Sequence, residues 1–344
     1  MGSPDMLLRY EIKKILFSPA LIGFAVLCAA LNVFIARSLY KPDAMSGGEP
    51  YNVFEGYDAG ALADGYVARY GMRDGAERNI RGKYGKLQPV IDQKAENGDA
   101  LSAYFGQETY IMHGHLFGTT LFAVAGESCL FALFAALTST GYENARNTEQ
   151  LVCASKTGRT VSRTKLAASL LTGLLFFAVI LVSGLAVFFA RFDFSAVWGD
   201  NVSSSFNSAP GNYLIPFMTW RSFTVAGLLG AVTVAAAGLT AVFSLFGTAL
   251  GTFFRGGYIA CGAAIVLCVL QYMAPLFFQT GGTLRGALNL TPLMLWANSG
   301  KWFTDGGPEI AWANFESAGI LACLAALAAA GLAAAAFYRR RDLV

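Results

Sequence analysis

The chain is short of charge. Asp, Glu, Lys and Arg make up 14% of its 344 residues, against about 25% in a soluble domain. With a hydrophobic content of 55% and a mean hydropathy of +0.49, that deficit excludes an ordinary soluble enzyme. Histidine is scarcer still: His113 and His115 stand alone. Together they form an H-x-H pair of metal-ligand chemistry. No third ligand follows at a suitable spacing, so a structural role at a membrane surface is preferred and no metal is expected. Chemistry-bearing motifs are missing as well. There is no G-x-x-x-x-G-K-[ST] loop to cradle nucleotide phosphates, no H-E-x-x-H and no G-x-S-x-G. The chain is therefore expected to be no enzyme, to have no catalytic residues and to hold no cofactor of its own. The six cysteines show no metal spacing, and five of them lie in apolar runs, so free thiols are expected. A net charge of +3 offers no basis for nucleic-acid binding.

What is abundant is apolar length. Six runs, at about 19–38, 114–138, 166–190, 222–250, 258–278 and 317–337, reach the ~20 residues that span a bilayer. Lipid offers no partner to backbone polar groups, so spans of this length are helical. The many glycines and alanines suit close helix packing. The expected fold is an all-α polytopic membrane protein. It has six transmembrane helices and a mainly helical extracytoplasmic insert between the first and second. Short-loop Lys and Arg set the orientation. Twelve collect on one face, among them Arg9, Lys13, Lys14, Arg146 and Lys165, and four on the other, Arg191, Arg221, Arg285 and Lys301. Both termini are thereby expected in the cytoplasm of a multi-pass protein of the cell membrane.

Residues 1–18 read as an amphipathic cytoplasmic helix lying on the inner leaflet. Leu8, Ile12, Ile15 and Leu16 share one face, with Arg9 and Lys13 on another. After the first span at 19–38, residues 39–113 form the one large polar region, on the outer side. Between Tyr40 and His113 it carries eight of the 14 tyrosines. Too many for the small core such a segment can build, several of these are expected to be exposed. Tyr57, Tyr66 and Tyr70 are candidates for an outer binding face. Residues 114–344 hold five further spans, a cytoplasmic segment at 141–165 and an outer loop at 279–316. The outer loop is amphipathic and aromatic. It reads as short helices at the interface, with Trp296 and Trp302 at headgroup level as further outer-face candidates.

Glu127 is the one ionisable residue deep inside a span, with Thr120 seven residues earlier on its face. A charge there is costly, so it is expected to face the bundle and bond to a Ser, Thr or Asn. It is either a polar link between helices, the preferred role, or a substrate or proton site.

The insert "GYENARNTEQLVCASKTGRTVSRTKLAAS", residues 141–169, is far longer than a hairpin needs. Asn144 to about Ser155 suits a surface helix, with Glu143, Arg146 and Glu149 exposed and Leu151 apolar. A turn follows at Gly158, and then the third span. A surface helix bonded to two spans acts as a lever.

With its amphipathic opening helix, six spans and large outer region, the chain resembles the permease subunits of ABC transporters of the type-2, exporter-like family. The matching residues of the insert are Glu143, Glu149, Leu151, Gly158, Arg159 and Lys165, and "FFRGG" between the fourth and fifth spans is also similar. The resemblance implies a coupling helix, with Arg146 and Lys156 beside those residues, that docks on a separate ATPase. It implies an ABC ATPase dimer and a second permease copy or paralogue as partners, in a lipid bilayer. ATP and Mg would be bound in the ATPase partner. Function would be the coupling of ATP hydrolysis to substrate movement across or out of the membrane. The alternative is an autonomous membrane protein, a secondary transporter or an immunity factor, with no ATPase.

Overall fold

The computed structural model describes residues 4–42, 52–104, 106–148, 161–206, 217–254 and 256–340. Among them the structure is helical, with isolated bridges at Asn201–Thr224 and Thr219–Thr304 in place of strands. Six helices are long and apolar enough to cross a membrane. The chain is an all-α polytopic membrane protein.

Helix α1 (Pro4–Leu16) turns at Ser18 into the first span, α2 (Pro19–Ser38). Pro19 suits the first helical position, where its missing N–H has no intrahelical role. The face of α1 differs from the sequence expectation in one respect. Ile15 is buried and Leu8 and Ile12 pack on the core, but Leu16 is exposed and Glu11 is buried in its place.

The second span is the hub. It runs from Gln107 to Ala145, about 58 Å at 1.5 Å per residue, nearly twice the ~30 Å hydrocarbon core. It therefore projects from the bilayer. We call it α5, with a π-helical stretch at Gly114–Thr120. Its apolar window is 78% buried, against 17–50% for the other five spans. Around it pack the third span α6 (Val161–Phe189) and the fourth α7 (Val225–Phe253). The fifth, α8 (Gly257–Met273), is peripheral, and the sixth, α9 (Phe315–Arg340), lies on α7. Close approach of α5 and α7 depends on glycine. A Cβ on Gly247 would fall 2.9 Å from the Leu133 carbonyl oxygen, and one on Gly251 would collide with the Thr140 hydroxyl. This is the small-residue packing that association in lipid favours.

Between α2 and α5 stands a hairpin of α3 (Ala59–Tyr70) and α4 (Asp74–Asn97). Asp58 caps α3 by accepting from the Gly60 and Ala61 N–H groups, and Gly71 ends it in the left-handed conformation. On α4, Ala76, Ile80, Tyr84, Leu87 and Ile91 recur at helical spacing and form a second core with Phe54, Ala59, Ala63 and Met72. Met218, with Trp220 packed beside it, completes that core from the loop before α7.

Two buried lysines tie this cap to the bundle loops. Lys83 Nζ donates to the carbonyls of Asp305 (2.9 Å), Gly307 (2.6 Å) and Ile310 (2.9 Å). All three ammonium protons thus find acceptors. Lys94 pairs with Asp99 at 3.2 Å, and Ser222 donates to the same carboxylate. The loop 279–316 forms short helices as expected, Thr283–Leu288 and Pro292–Ala297, with 3-10 turns at Ser299–Lys301 and Gly307–Glu309.

Candidate functional site

On the face carrying α1, four charged groups from three elements meet. Lys14 of α1 donates to Glu11 at 2.7 Å and to Glu143, at the end of α5, at 2.8 Å. Lys165, one turn into α6, donates to the Glu143 carboxylate and to the Ser139 carbonyl, and lies 3.9 Å from Glu11. Two acids thus face two ammonium groups. All four side chains are at most 10% exposed. Burial opposes the charge on Lys14, and the hydrogen bonds to Glu11 and Glu143 outweigh it, holding its pKa above the usual lysine range. Lys14 also lies over the rings of Tyr10 and Tyr142, each 4.7 Å from the centroid. Arg146 lies over the same Tyr142 ring, 4.8 Å from its centroid.

The geometry corrects two expectations. Glu143 is not part of an exposed docking surface. Its carboxylate turns inward because two lysines from neighbouring helices satisfy it there. Asn144 does not open a new surface helix. It belongs to the last turn of the second span, which ends at Ala145, with Asn147 at φ +54° closing the turn. Arg146 is exposed as expected. Glu149, Leu151, Lys156, Gly158 and Arg159 lie outside the described residues, as does Cys153.

Inside the bundle, Asn32 Nδ2 of α2 donates to Glu127 Oε2 at 2.6 Å. Both residues are buried, and Asn32 also donates to the Cys28 carbonyl at 3.0 Å. An asparagine partner is one of the three residue types expected for Glu127. Thr120 is buried two turns away and its hydroxyl has no hydrogen-bond partner.

On the capped face the aromatic candidates divide. Tyr70 is exposed. Tyr57 and Tyr66 are half-buried against the second core, Tyr66 at 5.8 Å from the Tyr84 ring. Burial pushes both of their phenols up to about 12. Trp302 is not a headgroup anchor: it is 2% exposed and its indole N–H donates to the Leu295 carbonyl at 3.1 Å. Trp296 is half-buried. It stacks on Phe122 at 4.6 Å, donates to the Phe122 carbonyl at 3.0 Å and leaves no room for a side chain at Gly126. Trp296 thus packs the loop on α5, and Trp302 packs within the loop itself. The histidines also serve locally. His113 Nδ1 pairs with the Thr109 carbonyl at 2.9 Å, and His115 Nε2 with that of Tyr40 at 3.0 Å.

Sequence reasoning missed Glu11, Asn32 and Lys83. Asn32 had a signal, as a polar residue within an apolar run. Lys83 had none, since its acceptors lie more than 220 positions away. The chain matches no family model, and comparison with curated proteins and with solved structures found no match either.

Proposed function

We propose that this chain is the membrane permease subunit of an ATP-driven exporter of the type-2 ABC kind, working with a separate ATPase dimer and a second permease. In this reading the α1 face is cytoplasmic and the α3–α4 cap lies outside. The observation that carries it is the buried ion cluster. It fastens α1, the end of α5 and the start of α6 at the root of the polar segment between the second and third spans. A force applied to that segment is passed to three helices at once, because ion pairs of this depth resist separation. Arg146 stands exposed at the edge of the cluster, where a docking subunit would meet it. The chain itself would hydrolyse no ATP.

The test is co-expression with an ATPase encoded beside this chain. Arg146→Glu combined with Glu149→Lys should weaken co-purification of the ATPase while the permease stays folded. Unchanged complex yield together with unchanged stimulation of ATP hydrolysis would overturn the proposal.

A second reading, an autonomous transporter, draws on the Asn32–Glu127 pair, since buried intramembrane carboxylates often mark proton or cargo paths. Loss of transport in a Glu127→Gln variant, measured without any ATPase, would favour it.

A further inference from the structure

Between the α3–α4 cap and the bundle lies a cavity of about 550 Å³. Its floor is apolar, formed by Phe117 and Gly118 from the π-helical stretch of α5 and by Leu228 and Val232 from the first turns of α7. Its upper wall is polar, with Ser299, Lys301, Thr304 and Glu309 from the loop before α9. Tyr70 and Tyr110, both exposed, flank it.

Three observations separate this space from a packing gap. Its volume is many times the ~30 Å³ share of one water and falls in the range of about 300–1,000 Å³ of small-ligand pockets. A Cβ built on Gly114 or Gly118 meets nothing within 4 Å, so α5 presents bare backbone to open space. Both glycines lie in the π-helical stretch, a rare geometry that recurs at functional sites. Lastly, Lys301 and Glu309 line the space with side chains about two-fifths exposed, so charged groups are reachable from it.

The charges of the wall are matched internally. Lys301 donates to Glu309, and the Lys83 ammonium, bonded to the Asp305 carbonyl at 2.9 Å, is the cation beside the Asp305 carboxylate. A ligand of strong single charge would leave an unbalanced group in this wall. A zwitterion would not, since its anionic part can face Lys301 while a cationic part faces Glu309 and the tyrosine rings. The apolar floor requires a hydrocarbon portion, at the depth where α5 and α7 enter the membrane.

We propose that this cavity binds a single-chain amphiphile with a zwitterionic head. Its head lies at Lys301 and Glu309, and its chain along Phe117, Leu228 and Val232. The site goes beyond the exporter reading and does not depend on it, because binding needs this chain alone. The same chemistry belongs to a bilayer lipid and to a transported amphiphile.

The experiment uses the full chain, purified and exchanged into amphipol, with radiolabelled tetradecanoyl lysophosphatidylcholine as the probe. Saturable binding of one molecule per chain is expected. Glycerophosphocholine, which has the head without the chain, should not compete, and tetradecyl sulfate should compete at least tenfold more weakly than unlabelled probe. Gly118→Leu should lower affinity tenfold or more by filling the floor. Gly300→Leu, also at a glycine open to the cavity, should do the same from the wall, which guards against one variant misfolding. Melting curves identify the variants that remain folded. Native mass spectrometry of freshly extracted protein separates the sources: a bound bilayer lipid marks the membrane, and an empty chain that then takes the probe marks a transient ligand. Absence of saturable binding, wild-type affinity in both folded leucine variants, or equal competition by tetradecyl sulfate would overturn the proposal.

Discussion

Glu143→Gln is the sharpest perturbation of the ion cluster. It keeps the side-chain shape and removes the one charge to which both Lys14 and Lys165 donate a hydrogen bond. Two buried ammonium groups are then left facing Glu11 alone. Removing one partner from a buried pair costs about 3–5 kcal/mol. The lower end applies here, because Lys14 keeps Glu11 at 2.7 Å and Lys165 keeps the Ser139 carbonyl. A loss of about 3 kcal/mol corresponds to a fall of roughly 4 °C in melting temperature for a chain of this size. Thermal unfolding in mild detergent, followed by circular dichroism, reads it directly. The cycle is closed with Lys165→Met. The double variant removes an acid and a base together and should recover much of the single-variant loss, with a coupling within the 0.5–3 kcal/mol seen for contacting residues. A Glu143→Gln protein that melts within 1 °C of wild type, or a double variant whose losses simply add, would refute the view that these groups clamp three helices.

Glu127→Gln should keep an acceptor for Asn32 and leave melting nearly unchanged, whereas Glu127→Leu should strand the buried Asn32 amide and cost about 1–3 kcal/mol in the same assay. Gly251→Val should drive a side chain into Thr140 and separate α7 from α5, seen as loss of the monodisperse gel-filtration peak. Burial holds Lys83 at about 8, below the 10.5 of an ordinary lysine. Between those values the unfolded chain binds more protons, so stability contributed by Lys83 rises as pH rises from about 8 toward 10.5. Protease resistance of the α3–α4 cap should follow that trend, and Lys83→Met should flatten it while making the cap easier to cut, because three carbonyls lose their donor.

Hydropathy alone located the six spans and the insert, because a bilayer demands about 20 apolar residues per crossing and admits only internally bonded backbone. The insert was likewise readable as mainly helical, and Glu127 as a buried group in need of a polar partner. Properties of this kind are local: they depend on what a segment must do in lipid or water whatever its neighbours. The partners were not local. Glu143 reads as an exposed polar residue in a polar segment, and it turned inward only because α1 and α6 bring Lys14 and Lys165 to it across 129 and 22 positions. Trp302 has the composition of an interfacial anchor, yet the fold of its own loop buries it against Leu295. The tyrosines of the outer region looked too many for a core, and Tyr40, Tyr70 and Tyr110 are indeed exposed, but the core that buries Tyr84 is completed by Met218 from beyond the third span, which no local pattern announces. The cavity beneath the cap has no sequence signature at all. It lies where Lys83 of the hairpin bonds the loop carbonyls of Asp305, Gly307 and Ile310, and where Gly114 and Gly118 of α5 leave space unfilled.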